Sequence, residues 1–453
     1  MSDLLSLLSL GSAGIAAQNT GISVATNNVA NANTDGYSRQ RVDLEALRAS
    51  PLIGGVRSGS PSRMADQLLS GRIRNSAGSL SHSQQLASGL SDVESTLSTG
   101  PTLHERLGIL FSRFGQVAAD PTDPSVRESV VAAARDFIAD VRRRASDLAE
   151  GLSTASVRIS DNATDATAVA SRLAAANREI ARTNDPVARD ERDRLAAQLS
   201  SLVGGTARID HDGEMRFVLD DGAVLVDGQR AAKLETTPDP STGKTSVAVV
   251  DGTNRRDVTA TLSGGKIGAD LALRDKTITG AINQLDTLAF DVASSLNTAH
   301  AAGAGLDGVS GRAMFVAPTQ VGGAAASLAI DPGLDANADQ LATGTPGAGA
   351  GDNRGALAML ALSTAAASST GGTLANAALG LVSGIGRQAA DANANVAREG
   401  LVSEHLAGLR DSLAGVDIQE ELTNLSKFEH ASSAMTRFVS TIDGLLGDLI
   451  DRL

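Results

Sequence analysis

Cysteine and tryptophan are absent from this 453-residue chain, tyrosine occurs once, at Tyr37, and the aromatic fraction is 2%. Without cysteine there is no disulfide framework, no thiolate metal site and no cysteine nucleophile. With so few rings there is little to stack on single-stranded bases, and no aromatic platform for a sugar, which a glycosidase carboxylate pair would ordinarily accompany. Lysine is scarce: 34 of the 39 basic residues are arginine, which reads as genomic bias. The 52 acidic residues bring the formal net charge to −13, the wrong sign for neutralising phosphates, so no nucleic-acid partner is expected. No stretch reaches the roughly 18 apolar residues of a membrane-spanning helix, so no membrane insertion is expected. The best candidate, 355–367, is shorter, contains Ser363 and Thr364, and reads as a buried helix. The apolar opening, MSDLLSLLSLGSAGIAA, lacks the basic region of a secretory signal.

What remains is aliphatic, and it is most regular at the two ends. Leu8, Ile15, Ile22 and Val29 recur every seven residues, with Leu4, Gly11, Gln18 and Ala25 four residues earlier. This is a heptad stripe in which small or polar positions permit close approach. It stops at 27–33, where asparagine is dense, followed by Asp35-Gly36. Asparagine is poor in helix interiors and tolerates left-handed geometry, so a shaped turn is predicted there. At the other end Leu425, Ser432, Val439, Leu446 and Leu453 lie seven apart, interleaved with Phe428, Met435, Ile442 and Leu449, on a helix starting at Ile418. Neither seam can be buried by its own helix, and the simplest partner for each is the other terminus.

Between the ends, Leu69, Ile73, Leu80, Ala87, Leu90, Val93 and Leu97 predict a helix up to Gly100-Pro101. Asp123-Pro124 is an N-cap with a first-turn proline, opening a long helix as far as Asn184-Asp185-Pro186. A further helix spans 187–202. From 205 to 262, four Asp-Gly pairs punctuate short apolar runs, the pattern of β-hairpins. Helix resumes near Ile267 and continues past Val292. Residues 303–350, rich in Gly, Ala and Pro, read as loops with a short strand or two.

Signals of chemistry are weak. The six histidines (82, 104, 211, 300, 405, 430) show no ligand spacing and read as surface or capping residues. Asp210-His211-Asp212-Gly213 resembles a calcium loop, but its glycine falls two places early, so a hairpin turn is expected. Gly347, Gly349 and Gly351 lack the strand and Lys-Ser/Thr of a phosphate loop. The run Arg142-Arg143-Arg144 reads as a solvated or subunit-contacting face. No enzyme, metal or cofactor is expected.

The stretch from Thr26 through Asn27, Asn28, Val29, Ala30, Asn31, Ala32, Asn33, Thr34, Asp35, Gly36, Tyr37, Ser38 and Arg39 to Gln40 closely resembles the N-terminal signature of bacterial flagellar rod, hook and hook-associated axial proteins. Asn184-Asp185 with Arg189-Asp190-Glu191-Arg192-Asp193-Arg194, then Leu225-Val226-Asp227-Gly228, Gly264-Gly265-Lys266-Ile267-Gly268 and Gly351-Asp352-Asn353, are similar to the hook-associated branch. So is Val416-Asp417-Ile418-Gln419-Glu420-Glu421-Leu422-Thr423-Asn424-Leu425, although Phe428-Glu429-His430 stands where the family usually has Tyr-Gln.

The fold expected is mainly α: an elongated bundle of long helices, the N- and C-terminal helices paired as a coiled coil, plus a small inserted β-rich domain. The division expected is 1–34 with 416–453 as a terminal inner-tube domain, 35–204 with 263–415 as a helical body, and 205–262 as the β-rich outer domain. The resemblance implies a structural ring subunit at the hook–filament junction outside the cell, exported by the type III apparatus without a cleaved signal. Implied partners are other copies in a homo-oligomeric ring, the hook protein, a second hook–filament junction protein, and an export chaperone at the C-terminal helices. The assembly interface expected comprises Leu4, Leu8, Ile15, Ile22 and Val29 with Ile418, Leu422, Leu425, Phe428, Met435, Val439, Ile442, Leu446 and Leu449; the signature turn comprises Asn28, Asn31, Asn33, Gly36 and Tyr37. Another axial protein of distal-rod or hook type, a non-flagellar coiled-coil surface scaffold, and a wall hydrolase are the competing readings.

Overall fold

The computed structural model describes residues 2–34, 36–49, 53–367, 369 and 372–451. Asp35 of the expected turn and Leu453 of the expected seam lie outside the described residues. Helix α1 (Ser2–Ala30) opens the chain. Four short strands follow: β1 (Gln40–Arg41), β2 (Leu44–Ala49), β3 (Ile53–Ser58) and β4 (Ser62–Arg63). β2 and β3 form an antiparallel hairpin that lies against α1, and β1 pairs with β4, Gln40 opposite Arg63. The sequence carries no strong signal for these strands, since the hairpin lacks alternating apolar positions and two glycines sit in β3.

The body is built from α2 (Gln67–Ser98), α3 (Leu103–Ala119), α4 (Pro124–Thr183) and α5 (Pro186–Val203). Asp66 caps α2 by accepting from Leu68 and Leu69 N–H, and Asp123 caps α4 by accepting from Ser125 and Val126 N–H. The 60 residues of α4 make a helix ~90 Å long at 1.5 Å per residue. It ends at Asn184, which takes the left-handed conformation (φ 57°) because an asparagine side chain tolerates that geometry. Helix α3 is an element the apolar spacing did not reveal. Its signal is local: Thr102 and Glu105 form a reciprocal capping box, the Thr-x-x-Glu pattern that satisfies two orphan N–H groups.

A β-rich segment follows. Strands β5 (Thr206–Ile209), β6 (Met215–Val218), β7 (Val224–Asp227) and β8 (Arg230–Ala231) form one antiparallel sheet in that order. Strands β9 (Lys233–Pro238), β10 (Thr245–Asp251) and β11 (Asn254–Asp257) form a second, with β10 central. Each Asp-Gly pair closes a turn on a glycine of positive φ, at Gly213, Gly222, Gly228 and Gly252. The chain enters and leaves this segment through facing glycine pairs. A Cβ on Gly204 would stand 2.6 Å from Gly264 Cα, so the two strands of backbone cross with no room for side chains.

Helix α6 (Gly265–Ala272) passes through a π-helical turn (Leu273–Ile278) into α7 (Thr279–Ala302). The single helix expected is therefore interrupted. The wide turn places Arg274 in the interior, where it donates to Thr245 O and pairs with Asp275. After α7 come the short helices α8 (Ala324–Ser327) and α9 (Pro332–Ala336), then α10 (Arg354–Ala361), α11 (Leu374–Ala414) and α12 (Ile418–Ile450). Helix α10 stops at Ala361 and exposes Leu357, so 355–367 is not one buried helix.

Two apolar cores result. One gathers α2, α3, the first half of α4, α7, α10 and α11 with Met314, Phe315 and Leu341 of the loop-rich segment. The other joins the second half of α4 and α5 to α6 and both larger sheets. Two arginines staple loops into the first. Arg127 is fully buried and donates to Pro121 O, Ala338 O, Asp339 O, Leu341 O and the Thr343 hydroxyl. Arg144, expected on an outer face, is buried instead. It caps the end of α2 by donating to Leu97, Thr99 and Pro101 carbonyls, groups left without partners where a helix stops. His300 is likewise buried, not superficial: its Nδ1 bonds Arg312 O while Nε2 accepts from Ala342 N–H. Burial pushes its pKa down, keeping the ring neutral.

The accessible surface is 22106 Å². A compact monomer of 45.9 kDa would expose about 16,000 Å². The excess reflects an elongated, helix-rich molecule whose terminal helices stand apart from both cores.

Candidate functional site

α1 and α12 pack antiparallel along their lengths. The α1 seam is built from small residues: Gly11, Gly14, Ala17, Gly21 and Ala25 are buried, as are Val24 and Asn28. Large residues of α12 sit directly on the glycines. A Cβ at Gly21 would meet the Phe428 ring at 2.7 Å, one at Gly14 would overlap the end of Met435, and one at Gly11 would overlap Val439. Asn19 and Ser432 bond across the pair at 3.3 Å. Phe428, Met435 and Val439 are thus knobs, and glycine provides the holes because no other residue lets a ring approach a helix backbone so closely.

This seam is turned from the expected one. Leu8, Ile15, Ile22 and Val29, with Leu4, lie half-buried on the flank of α1. They are one residue, or about 100°, from the Gly14, Gly21 and Asn28 line. On α12 the inner face carries Leu425, Phe428, Met435, Val439 and Leu446, half-buried, and Ile442, buried. Ile418 (42% exposed), Leu422 (45%) and Leu449 (40%) lie outside it. The inner line begins with Glu421, a charged residue the apolar spacing passes over. The signal for the true seam was the spacing of glycine and alanine on α1, not of its large aliphatics.

Asn28 anchors the site. It is wholly buried, and its side chain makes four hydrogen bonds. Nδ2 donates to Gln40 O (2.9 Å) and Glu421 Oε2 (3.0 Å), while Oδ1 accepts from Tyr37 OH (2.8 Å) and Gln40 N–H (2.9 Å). Every donor and acceptor of the amide is satisfied. Arg39 extends the link: Nε donates to Glu421 at 2.7 Å, its terminal nitrogens grip Glu420, and its N–H donates to Ala414 O. Burial and the nearby carboxylates of Asp190 and Glu421 push the Tyr37 hydroxyl up to about 12, so it stays a donor.

The remaining signature residues have smaller tasks. Asn31 lies outside the seam and bonds Asn27 O and Thr34; Asn33 is exposed. Gly36 supplies a positive φ of 83°. α1 runs through Asn27 and Asn28 and ends at Ala30, passing into a turn at 31–33 in which no asparagine is left-handed.

Two stretches far apart in sequence meet behind the turn. Asp190 accepts from Ser38 N–H (3.0 Å), Ser38 OH (2.8 Å) and Arg63 (2.9 Å), and Arg63 also reaches Asp193 at 2.6 Å. The acidic positions of α5 thereby hold the turn that holds α12. Among the described residues no group of three or more His, Asp or Glu side chains is placed to hold a metal ion, and no helix is long and apolar enough to cross a membrane. The arrangement is suited to holding helices together, with the apolar Ile418, Leu422, Leu445, Leu449 and Ile450 of α12 and Leu5 of α1 left facing outward.

Comparison with known proteins agrees with this architecture. Residues 90–315, about half of the chain, match a family described as the flagellar hook-associated protein FlgK helical domain. Flagellar hook-associated protein 1 of Bacillus subtilis (strain 168) is 26% identical, covering 96% of this chain and 96% of its own length. The protein of the same name from Escherichia coli (strain K12) is 24% identical over 98% of this chain and 99% of its own. The solved structure of the flagellar hook junction protein FlgK from Burkholderia pseudomallei superposes with a TM-score of 0.69 at 15% identity, covering 76% of this chain and all of that one, and shares the fold. With its mainly helical, elongated body, its inserted sheets and its paired termini, the chain belongs to the flagellar hook-associated protein 1 family.

Proposed function

We propose that this protein is a structural subunit of the bacterial flagellum, forming the junction between hook and filament as a homo-oligomeric ring. The observation that carries the reading is the terminal helix pair, which buries one seam internally and leaves Ile418 and Leu422 at one end of α12 and Leu445, Leu449 and Ile450 at the other facing outward. Clusters of exposed apolar side chains on a long helix mark surfaces that another molecule covers, and in a ring the natural occupant is the next copy. Ile418, Leu422 and Leu449, displaced from the internal seam, belong to those two outward clusters. The relatives bear names that place them at the hook. The hook protein and a second junction protein are the neighbours proposed above and below the ring. Export unfolded through the type III apparatus, with a chaperone holding the C-terminal helix beforehand, suits a chain without disulfides. No catalytic role is proposed.

Immunogold labelling of intact cells tests the assignment. A single band between hook and filament is the expected result; label along the filament refutes it.

A further inference from the structure

Behind the signature turn lies a cavity of about 200 Å³ bounded by the turn, α2, α5 and α11. Its floor carries Arg63 and Arg74, adjoined by Arg192 outside the cavity lining. Among the described residues these three guanidinium groups, with side chains 11%, 7% and 3% exposed, face two carboxylates, Asp190 and Asp193, and Arg192 also donates to Gly213 O. Asp190 is saturated by Ser38 and Arg63, and Asp193 is shared: Arg63 takes it at 2.6 Å, leaving Arg74 at 3.5 Å and Arg192 at 4.0 Å. Arg74 Nε and Arg192 Nε are buried with no hydrogen-bond partner. Buried guanidinium donors left unpaired are costly, and both arginines have lowered pKa values, with burial the leading cause. Arg74 lines the cavity, and at its walls stand Arg194, paired with Glu191, and Arg410, whose Nε lies 3.5 Å from Asp411. The acid on the same wall, Asp66, is engaged as the cap of α2.

We infer that this cavity binds a single oxyanion of carboxylate or phosphate class, held by Arg74 from the floor and Arg410 from the rim. Such an anion supplies the charge the cluster lacks and an acceptor for the buried Arg74 guanidinium. The two chemistries differ in charge and shape, and phosphate and acetate distinguish them.

The full chain is titrated calorimetrically with inorganic phosphate and, separately, with acetate, at constant ionic strength set by chloride. Saturable one-site binding of either ion is expected, weakened about tenfold, one charge-assisted hydrogen bond's worth, in Arg74→Gln and Arg410→Gln. Arg410 is on the surface of α11, so its variant leaves the buried cluster intact and reports even where Arg74→Gln unfolds. Tighter binding of phosphate assigns a phosphate-class ion; binding of acetate at least as tight assigns a carboxylate. No saturable binding of either ion, or binding unchanged in Arg410→Gln, overturns the inference.

Discussion

At the scale of single residues, the terminal pair depends on what is missing from its side chains. Gly21 lies under the Phe428 ring, whose atoms would stand 2.7–2.9 Å from an added Cβ. In α3, Gly108 has nothing within 4 Å of an added Cβ. The same substitution should therefore have opposite signs. Gly108→Ala should stabilise by up to ~1 kcal/mol through helix propensity. Gly21→Ala should destabilise the α1–α12 pair by ~1–3 kcal/mol through overpacking, with part recovered by adding Phe428→Leu. Urea unfolding of the variants decides this, and equal signs would contradict the packing described. Tyr37 allows a second check, because the chain has no other tyrosine and no tryptophan. Burial and the nearby carboxylates push its hydroxyl up to about 12, from an ordinary phenol value of 10.0. A raised pKa favours the protonated fold, so this stabilisation is full below pH 10 and is lost as pH rises toward 12. Ultraviolet titration of phenolate absorbance should show ionisation well above pH 10 in the native protein and near 10 in denaturant. Identical curves would remove Tyr37 from its bond with Asn28.

At the scale of elements, helix α12 contacts α1 but carries no residue of either apolar core. A charge placed in its seam should release the pair and spare the body. Val439→Asp should detach α12, abolish the proposed ring assembly and leave the cooperative unfolding of α2–α7 within ~0.5 kcal/mol, since distant sites are additive. Loss of motility with a retained main unfolding transition is the expected outcome; retained motility would contradict the seam. Elements with strong local punctuation were readable beforehand. Asp123-Pro124 opened α4, Asn184-Asp185-Pro186 separated it from α5, and four Asp-Gly pairs marked the sheets, because caps and positive-φ turns depend on the few residues around them. The β2–β3 hairpin was not readable, since its residues take strand geometry by lying on α1 and not by alternation. The π turn after Ala272 was equally hidden, because its periodicity differs from an α-helix by one residue.

At the scale of the molecule, two cores share α4, while Asn28 and Arg39 tie α1 and its turn to Glu421 of α12, and Ser38 joins the turn to the body at Asp190. Stability should follow that layout. Amide exchange of the isolated monomer should be fast in α1 and α12 and slow in α4, by at least an order of magnitude, as expected where few apolar contacts resist opening. Assembly of the proposed ring should then slow the terminal helices selectively. Uniformly slow exchange in α1 and α12 of the monomer would count against termini completed by neighbouring copies.

Heptad spacing at both ends and the motif from Thr26 to Gln40 were enough to specify paired terminal helices, because periodicity and local turn chemistry are properties of short segments. Which face of α1 meets α12 was decided only in three dimensions. Large aliphatics at Leu8, Ile15 and Ile22 looked like the seam, yet Phe428, Met435 and Val439 needed depressions, and only Gly11, Gly14 and Gly21 provide them. The burial of Arg74, Arg127 and Arg144 was invisible for the same reason: an arginine becomes internal through carbonyls and carboxylates up to some two hundred residues away, whose positions no local pattern encodes.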